Sequence, residues 1–131
     1  MKDKAKELIE KMEKERGFGR LWRKLLAERD PEFVELYHKA ALHVFQDGAL
    51  PRKFKEILAI CVDAIQFYET GIRIHTRNAL KLGATEQEII EALEVTFLPG
   101  IHYLSVHLPT IAEEAENFKQ GKVAGDLYKD K

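Results

Sequence analysis

The sequence predicts an all-α protein, and three observations support this prediction. Apolar residues recur at intervals of three and four along most of the 131-residue chain, which is the spacing of amphipathic helices. The alternation of apolar and polar residues that marks a strand is almost absent. Glycines, prolines and capping residues divide the chain into segments of helical length. The chain length predicts a single domain over residues 1–131.

The first 50 residues are expected to form three helices. The first covers about residues 2–16, and its apolar seam is so narrow that it must dock on the body or on another subunit, or fray. A short helix around residues 21–26 completes the N-terminal helices of residues 1–30. Asp30 can then act as the N-cap of the third helix, and Pro31 suits its first position. That third helix should end near Gly48.

Four further helix signals follow. Pro51 opens a helix with a predicted buried stripe at Phe54, Ile57, Leu58, Cys61, Ile65 and Tyr68. Gly83 should cap the next helix, over residues 72–82, and Thr85 with Glu88 forms a capping box that starts a helix reaching about residue 98. A last helix over residues 101–118 contains Pro109, which must kink it or mark a local start. Residues 120–131 are expected to form a loose tail.

Charge and composition exclude several classes of function. The 21 basic and 22 acidic residues give a net charge of −1, whereas a nucleic-acid-binding protein would show a basic excess. No segment approaches the roughly 20 apolar residues that cross a bilayer, so a cytoplasmic protein without membrane contact is expected. Cys61 is the only cysteine, which excludes an intrachain thiol pair, and its place in an apolar stripe predicts a small buried hydrophobe.

The stretch QFYETGIRIHTRNALKLGAT, residues 66–85, contains the main candidate for chemistry, His75. Two arrangements are open for the residues before it. In one, Thr70 caps a helix that begins at Gly71, leaving free backbone amides beside Tyr68 and Glu69. In the other, the helix continues through Gly71, which then needs a close packing partner. We favour the break, because an unbroken helix from Pro51 would be unusually long.

Two segments of the chain resemble a known family: LPRKFKEILAI and YETGIRIHTRNALKLGATEQEIIEAL. Their spacing resembles the carboxymuconolactone decarboxylase and alkylhydroperoxidase D-like superfamily over about residues 50–115. The resemblance implies an alkylhydroperoxidase D-like helical bundle with its family core in that range. It also implies a homo-oligomer, a trimer or hexamer, with active centres near subunit contacts. Apolar residues on more than one helix face agree with burial by neighbouring subunits.

The chain departs from the peroxidase-type members of that superfamily at their two cysteines. Counted back from His75, the cysteine positions are occupied by Tyr68 and Gly71, and Glu56 takes the place of an assisting glutamate. Peroxide reduction needs one thiolate to attack oxygen and a second thiol to resolve the sulfenic acid. A peroxidase or peroxiredoxin activity would therefore follow from the family label and not from these residues.

The remaining candidate catalytic residues are proton donors and acceptors: His75, Glu56, Tyr68 and Glu69. A histidine with a carboxylate at hydrogen-bonding distance suffices for acid and base catalysis. The alternative is a buried polar pair, His75 with Glu56, that only holds two helices together. Glu56, His75 and His107 also have the composition of a two-histidine, one-carboxylate metal site, although a proton network is the more common use of such residues.

The sequence analysis therefore favours an acid and base enzyme without a cofactor, acting on a small carboxylated or lactone-like molecule. Arg73 and Arg77, four residues apart, would either clamp a substrate carboxylate or form salt bridges between subunits. Two other functions stay open. One is a peroxide-detoxifying activity, which would require a reactive Cys61 or thiols from a partner. The other is a non-catalytic oligomeric binder that kept the scaffold.

Overall fold

A computed structural model describes residues 2–17 and 19–123, and these ranges contain α-helices and one 3₁₀-helix but no strand. The helices are α1 (Lys2–Arg16), α2 (Leu21–Ala27), α3 (Pro31–Val44), α4 (Arg52–Ile65), α5 (Glu69–Lys81), α6 (Glu86–Phe97) and α7 (His102–Lys119), with the 3₁₀-helix over Leu98–Ile101. The predicted all-α class is confirmed. Most of the predicted tail over residues 120–131 lies outside the described residues.

The chain divides into two compact units, unit 1 (Met1–Glu56) and unit 2 (Ile57–Lys131), with the boundary inside α4. Unit 1 is built on α1, α2 and α3. Unit 2 is built on the greater part of α4 and on α5, α6 and α7. The single-domain organisation stays a prediction.

The apolar core of unit 1 holds the weakly amphipathic first helix, α1, in place. Its buried residues come from all three helices: Ala5, Ile9 and Met12 from α1, Ala27 from α2 and Val34 from α3. Helix α1 therefore docks on its own unit. The Asp30 carboxylate accepts a hydrogen bond from the Phe33 amide at 3.0 Å, which confirms the predicted N-cap of α3.

The core of unit 2 corrects the predicted stripe of α4. Its buried residues are Ile57, Ile60, Cys61, Ala79, Ala84 and Ile89. Ile57 and Cys61 were predicted, and Cys61 is a buried hydrophobe with 4% of its surface exposed. The sequence analysis missed Ile60. It was wrong about four residues of the stripe, which are exposed: Phe54, Leu58, Ile65 and Tyr68. The error arose because α4 is apolar on two faces. Only the face that carries Ile57, Ile60 and Cys61 packs in this unit.

The predicted boundaries of the helices in unit 2 are largely confirmed. Gly83 has a φ of 89°, a left-handed conformation that glycine adopts without the steric cost of a Cβ atom. Thr85 and Glu88 form the capping box: the Glu88 amide donates to Thr85 Oγ1 at 3.1 Å, and the Thr85 amide donates to Glu88 Oε2 at 2.9 Å. Helix α7 runs through Pro109, so no helix starts at this proline.

The helical segment Glu86–Lys119 is long and apolar enough, by length and composition alone, to cross a membrane. The expectation that no segment approaches such a span was wrong on this measure, because the helical structure continues through Pro99 and Gly100. One such segment does not distinguish a membrane span from the core helix of a soluble protein. Very little of it is buried within the chain, which leaves its apolar side chains exposed.

A tight turn joins α4 to α5 and decides between the two arrangements proposed for this region. The Tyr68 amide donates to the Asp63 carbonyl at 2.8 Å, and the Phe67 amide donates to the Ala64 carbonyl at 3.1 Å. Phe67 itself has a φ of 53°. This is the Schellman pattern of helix termination. The predicted break is confirmed, but Thr70 is not the N-cap: α5 begins two residues before Gly71, with Tyr68 as its N-cap.

Phe67 is strained, because a residue with a Cβ atom is disfavoured in the left-handed region by roughly 1–2 kcal/mol. Its side chain is also 93% exposed, so burial within this chain does not compensate the strain. We expect Phe67→Gly to raise the free energy of unfolding by about 0.5–1 kcal/mol, allowing for the greater freedom of glycine in the unfolded state. Chemical denaturation measures the change.

Phe67→Ala is the matched control, because it removes the ring but keeps the Cβ atom at the left-handed position. It should leave the unfolding free energy close to that of the parent protein. An equal gain for the alanine and glycine variants would contradict backbone strain as the cause.

Candidate functional site

The histidine singled out by the sequence, His75, lies beside a carboxylate of the preceding helix. His75 Nε2 in α5 is 3.8 Å from Asp63 Oδ2 in α4, and the two side chains are 19% and 16% exposed. The pair is therefore partly shielded from water but still reachable by a proton. At this separation the carboxylate and the imidazole ring are close enough to interact electrostatically.

Gly71 makes this arrangement possible. A Cβ atom at this position would collide with Asp63 Oδ2 and would lie 2.7 Å from the Tyr68 ring atom Cδ1. Gly71 is buried in the first turn of α5, one helical turn before His75. The Asp63 carboxylate thus occupies the space that a side chain at position 71 would need. A close packing partner was predicted only for a helix that continues through Gly71, and Gly71 has one although the helix breaks before it.

The structure places Tyr68 and Glu69 at the start of α5. Tyr68 is the N-cap residue and is exposed, and its ring lies beside Gly71. Glu69 is exposed and pairs with Arg73 one turn later, with Arg73 Nε donating to Glu69 Oε1 at 2.9 Å. Tyr68 therefore lies at the site built by Asp63 and His75, while Glu69 holds Arg73 on the surface.

Glu56 is the most buried of the predicted catalytic residues, with 1% of its surface exposed. Arg52 Nε and Nη2 each lie 3.4 Å from Glu56 Oε1, one turn earlier on α4. A buried carboxylate needs such a partner to offset its lost hydration. Glu56 belongs to unit 1 and His75 to unit 2, so their pairing stays a prediction.

A groove of about 420 Å³ runs along α5 beside the residues that flank His75. Its lining combines apolar side chains with a hydroxyl and two guanidinium groups: Ile72, Arg73, Ile74, Thr76 and Arg77. Arginine forks match the geometry of carboxylates. One of these guanidinium groups, that of Arg73, is already paired with Glu69.

The last candidate is a metal site built from His, Cys, Asp or Glu side chains. No three of these side chains within the described ranges form a group that could hold a metal ion. His107 stacks edge to face with Tyr103 on α7, with ring centroids 4.7 Å apart. The set Glu56, His75 and His107 stays an untested prediction, because Glu56 and His75 belong to different units.

Asp63 is the functional residue that the sequence analysis missed. A signal was present, because Asp63 is the only charged residue in the apolar stretch of residues 57–68. A lone carboxylate in such a stretch needs a polar partner when the helix packs. Its spacing of twelve residues from His75 could not identify that partner, because the contact depends on the turn at Phe67.

Comparison with known proteins assigns the family. A sequence model of the carboxymuconolactone decarboxylase family matches residues 31–100, more than half of the chain. The chain belongs to the carboxymuconolactone decarboxylase family. The match begins earlier than the expected core of residues 50–115 and includes α3, α4, α5 and α6. Neither a curated protein nor a solved structure matches the chain.

Within the carboxymuconolactone decarboxylase family, this member has no thiol pair, because Cys61 is its only cysteine. Cys61 is buried in the core of unit 2 among aliphatic side chains. A thiolate nucleophile needs solvent access and a positive environment, which the core of unit 2 does not offer. The group that the structure places beside His75 is the Asp63 carboxylate.

The role of Gly71 can be tested by Gly71→Ala. The added Cβ atom would push the Asp63 carboxylate away from His75 and crowd Tyr68. Crowding of this kind costs about 1–3 kcal/mol, against a gain of about 1 kcal/mol in helix propensity. We expect the free energy of unfolding to fall by up to about 2 kcal/mol and the ring resonances of His75 to shift in NMR spectra.

Gly100→Ala is the control, because no atom lies within 4 Å of a Cβ atom built there. It should not lower the free energy of unfolding and should leave the His75 resonances unchanged. A Gly71→Ala variant that is more stable than the parent and has unshifted His75 resonances would contradict the proposed role of Gly71.

Proposed function

We propose that this protein is an acid and base enzyme that acts on a small carboxylated or lactone-like molecule without thiol chemistry. The contact between His75 and Asp63 is the observation that carries the proposal. Loss of CO₂ from a carboxylated lactone leaves an electron pair on the neighbouring carbon, and a proton must be delivered there. A histidine is a common general acid in enzymes and can deliver that proton.

The groove along α5 supports the same substrate class. Arg73 and Arg77 supply positive charge, and Thr76 supplies a hydroxyl beside the apolar side chains of Ile72 and Ile74. A small molecule with one carboxylate and a hydrocarbon frame would satisfy both parts of this lining. In this proposal Tyr68 and Glu56 assist His75, and Glu69 acts indirectly by holding Arg73.

The first test measures decarboxylation of carboxymuconolactone, the compound named by the family, and of related small carboxylated lactones. We expect His75→Ala to lower kcat/KM by about 10²- to 10⁴-fold, as for loss of a general acid. Asp63→Asn should lower kcat/KM roughly fivefold to tenfold, because it removes an orienting contact worth about 1 kcal/mol. The rate of decarboxylation is measured from the release of CO₂.

His102→Ala is the matched control, since it removes an exposed histidine from the same unit and should retain full activity. Turnover that is unaffected by His75→Ala would refute the assignment. Consumption of organic hydroperoxides with a dithiol, abolished by Cys61→Ser, would replace it with the peroxidase function. Binding of a lactone without turnover, lost in His75→Ala, would favour a non-catalytic binder.

We also propose that the protein is a soluble, cytoplasmic homo-oligomer, a trimer or hexamer. The support is the exposed apolar surface of unit 2. Large apolar side chains are exposed on α6, the 3₁₀-helix and α7: Val95, Phe97, Leu98, Ile101, Tyr103, Val106, Ile111 and Phe118. An apolar groove of about 460 Å³ is lined by Ile90, Leu93, Glu94, Phe97 and Leu98. Exposed apolar surface of this extent is typical of an interface between copies.

The oligomer is tested by the molar mass of the purified protein in light scattering after gel filtration. We expect three or six times the chain mass of 15.1 kDa. Phe97→Glu and Val106→Glu should dissociate the assembly, because each buries an unpaired charge in the proposed interface. Gln87→Glu adds the same charge on α6 without removing an apolar side chain and should leave the mass unchanged. A monomeric parent protein would contradict the proposal.

A further inference from the structure

The helical segment that runs from α6 into α7 is exposed along most of its length. Every residue from 94 to 116 is exposed, and residues 95–112 include no Asp, Glu, Lys or Arg. Nine large apolar side chains are exposed in this uncharged stretch: Val95, Phe97, Leu98, Ile101, Tyr103, Leu104, Val106, Leu108 and Ile111. They present on the order of 1,000 Å² of apolar surface, whereas the largest apolar patch on a typical monomer covers roughly 300–600 Å².

The part of α7 over residues 102–112 is called the arm. Its apolar side chains extend over more than half of the helix circumference, because successive residues of a helix are about 100° apart. None of them belongs to the described core of unit 2. A helix with apolar side chains around so much of its surface is stable in water only when it is buried. The arm therefore needs a partner surface.

A groove on the same unit has an apolar lining and one charge. It has a volume of about 460 Å³ and is lined by residues of α6 and the 3₁₀-helix: Ile90, Leu93, Glu94, Phe97 and Leu98. No residue of α7 lines the groove, so the arm of the same chain does not fill it. The Glu94 carboxylate has no hydrogen bond or ion pair with the residues that the structure describes.

The arm carries a side chain that can meet this charge. His107 lies four residues after Tyr103 and four residues before Ile111, so the three side chains form one stripe along α7. An imidazole N–H can donate a hydrogen bond to a carboxylate. The stripe thus places one polar donor between two apolar side chains, and the groove places one carboxylate among apolar walls. The two surfaces are complementary in charge and in apolar character.

A membrane is the other apolar environment that suits such a segment, and the charges around it argue against this alternative. Positions 82–118 include no Lys or Arg, and Glu91, Glu94, Glu113 and Glu114 flank the uncharged stretch. Anionic lipid headgroups attract basic residues near the ends of a span and repel acidic ones. A second copy of the chain is therefore the occupant that the charges favour.

We propose that the arm of one copy packs into the groove of a second copy, where His107 donates a hydrogen bond to Glu94. This contact rests on the proposed homo-oligomer and names the two surfaces that meet in it. Because the arm and the groove are different surfaces, the contact is heterologous, and its repetition around a rotation axis closes a ring such as a trimer.

The first experiment tests whether the arm and the groove come from different copies. Phe97→Glu places a charge in the groove and leaves the arm intact, whereas Ile111→Glu does the reverse. Each variant alone should be monomeric in light scattering, because every contact then buries an unpaired charge. An equimolar mixture should form a dimer of twice the chain mass of 15.1 kDa, because one intact arm meets one intact groove. Both residues are exposed within the chain, so the helical circular dichroism of each variant should match that of the parent.

The second experiment exchanges the charges of Glu94 and His107. His107→Glu places a second carboxylate against Glu94 and should weaken self-association at least about tenfold, because like charges repel across an interface. Adding Glu94→Lys to His107→Glu restores opposite charges and should recover the affinity. Adding Glu91→Lys instead is the matched control: it makes the same reversal on α6 outside the groove and should not recover the affinity. Light scattering over a dilution series measures the affinity.

The outcomes separate this contact from the proposed homo-oligomer. A monomeric parent protein contradicts the homo-oligomer itself. An oligomeric parent whose Phe97→Glu and Ile111→Glu variants do not assemble when mixed overturns only the contact between the arm and the groove. Equal recovery by Glu91→Lys and Glu94→Lys also overturns that contact. The parent should not sediment with vesicles of phosphatidylcholine and phosphatidylserine, and sedimentation that Ile111→Glu abolishes would assign the arm to a membrane instead.

Discussion

The turn between α4 and α5 is the constraint on which the candidate site depends. Its hydrogen bond from the Tyr68 amide to the Asp63 carbonyl reverses the chain within a few residues. Because Asp63 lies in the last turn of α4, the same hydrogen bond fixes the position of its backbone relative to the start of α5. His75 follows on α5 and meets the Asp63 carboxylate across the helix pair. The turn requires a positive φ at Phe67, which strains the backbone there.

The loss of the thiol pair and the presence of Asp63 are linked through Gly71. By resemblance to the peroxidase-type members, position 71 corresponds to the second cysteine. Here a side chain at that position would collide with the Asp63 carboxylate. The local packing thus accommodates an acidic group where the thiol chemistry would need sulfur. His75 lies beside the Asp63 carboxylate, and the only cysteine of the chain, Cys61, is buried in the core of unit 2.

The two units differ in how completely they bury their apolar residues. In unit 1, Ile9 and Met12 of α1 belong to one buried cluster with Ala27 of α2 and Val34 of α3. In unit 2, the described apolar core draws on α4, α5 and α6, and no residue of α7 belongs to it. The apolar residues of α7 are instead exposed, which explains why a sequence with ordinary hydrophobic content has so much unburied apolar surface.

The sequence by itself determined the all-α class, the family and the local helix signals, including the Asp30 cap and the capping box of Thr85 and Glu88. These features depend on residues a few positions apart, so spacing and chemistry alone specify them. Only the tertiary structure decided which face of α4 is buried, because that helix is apolar on two sides and the choice depends on the partner helix. It also decided that Asp63 meets His75, because a contact across twelve residues depends on where the intervening chain turns, and the left-handed Phe67 gave no sequence signal of that turn.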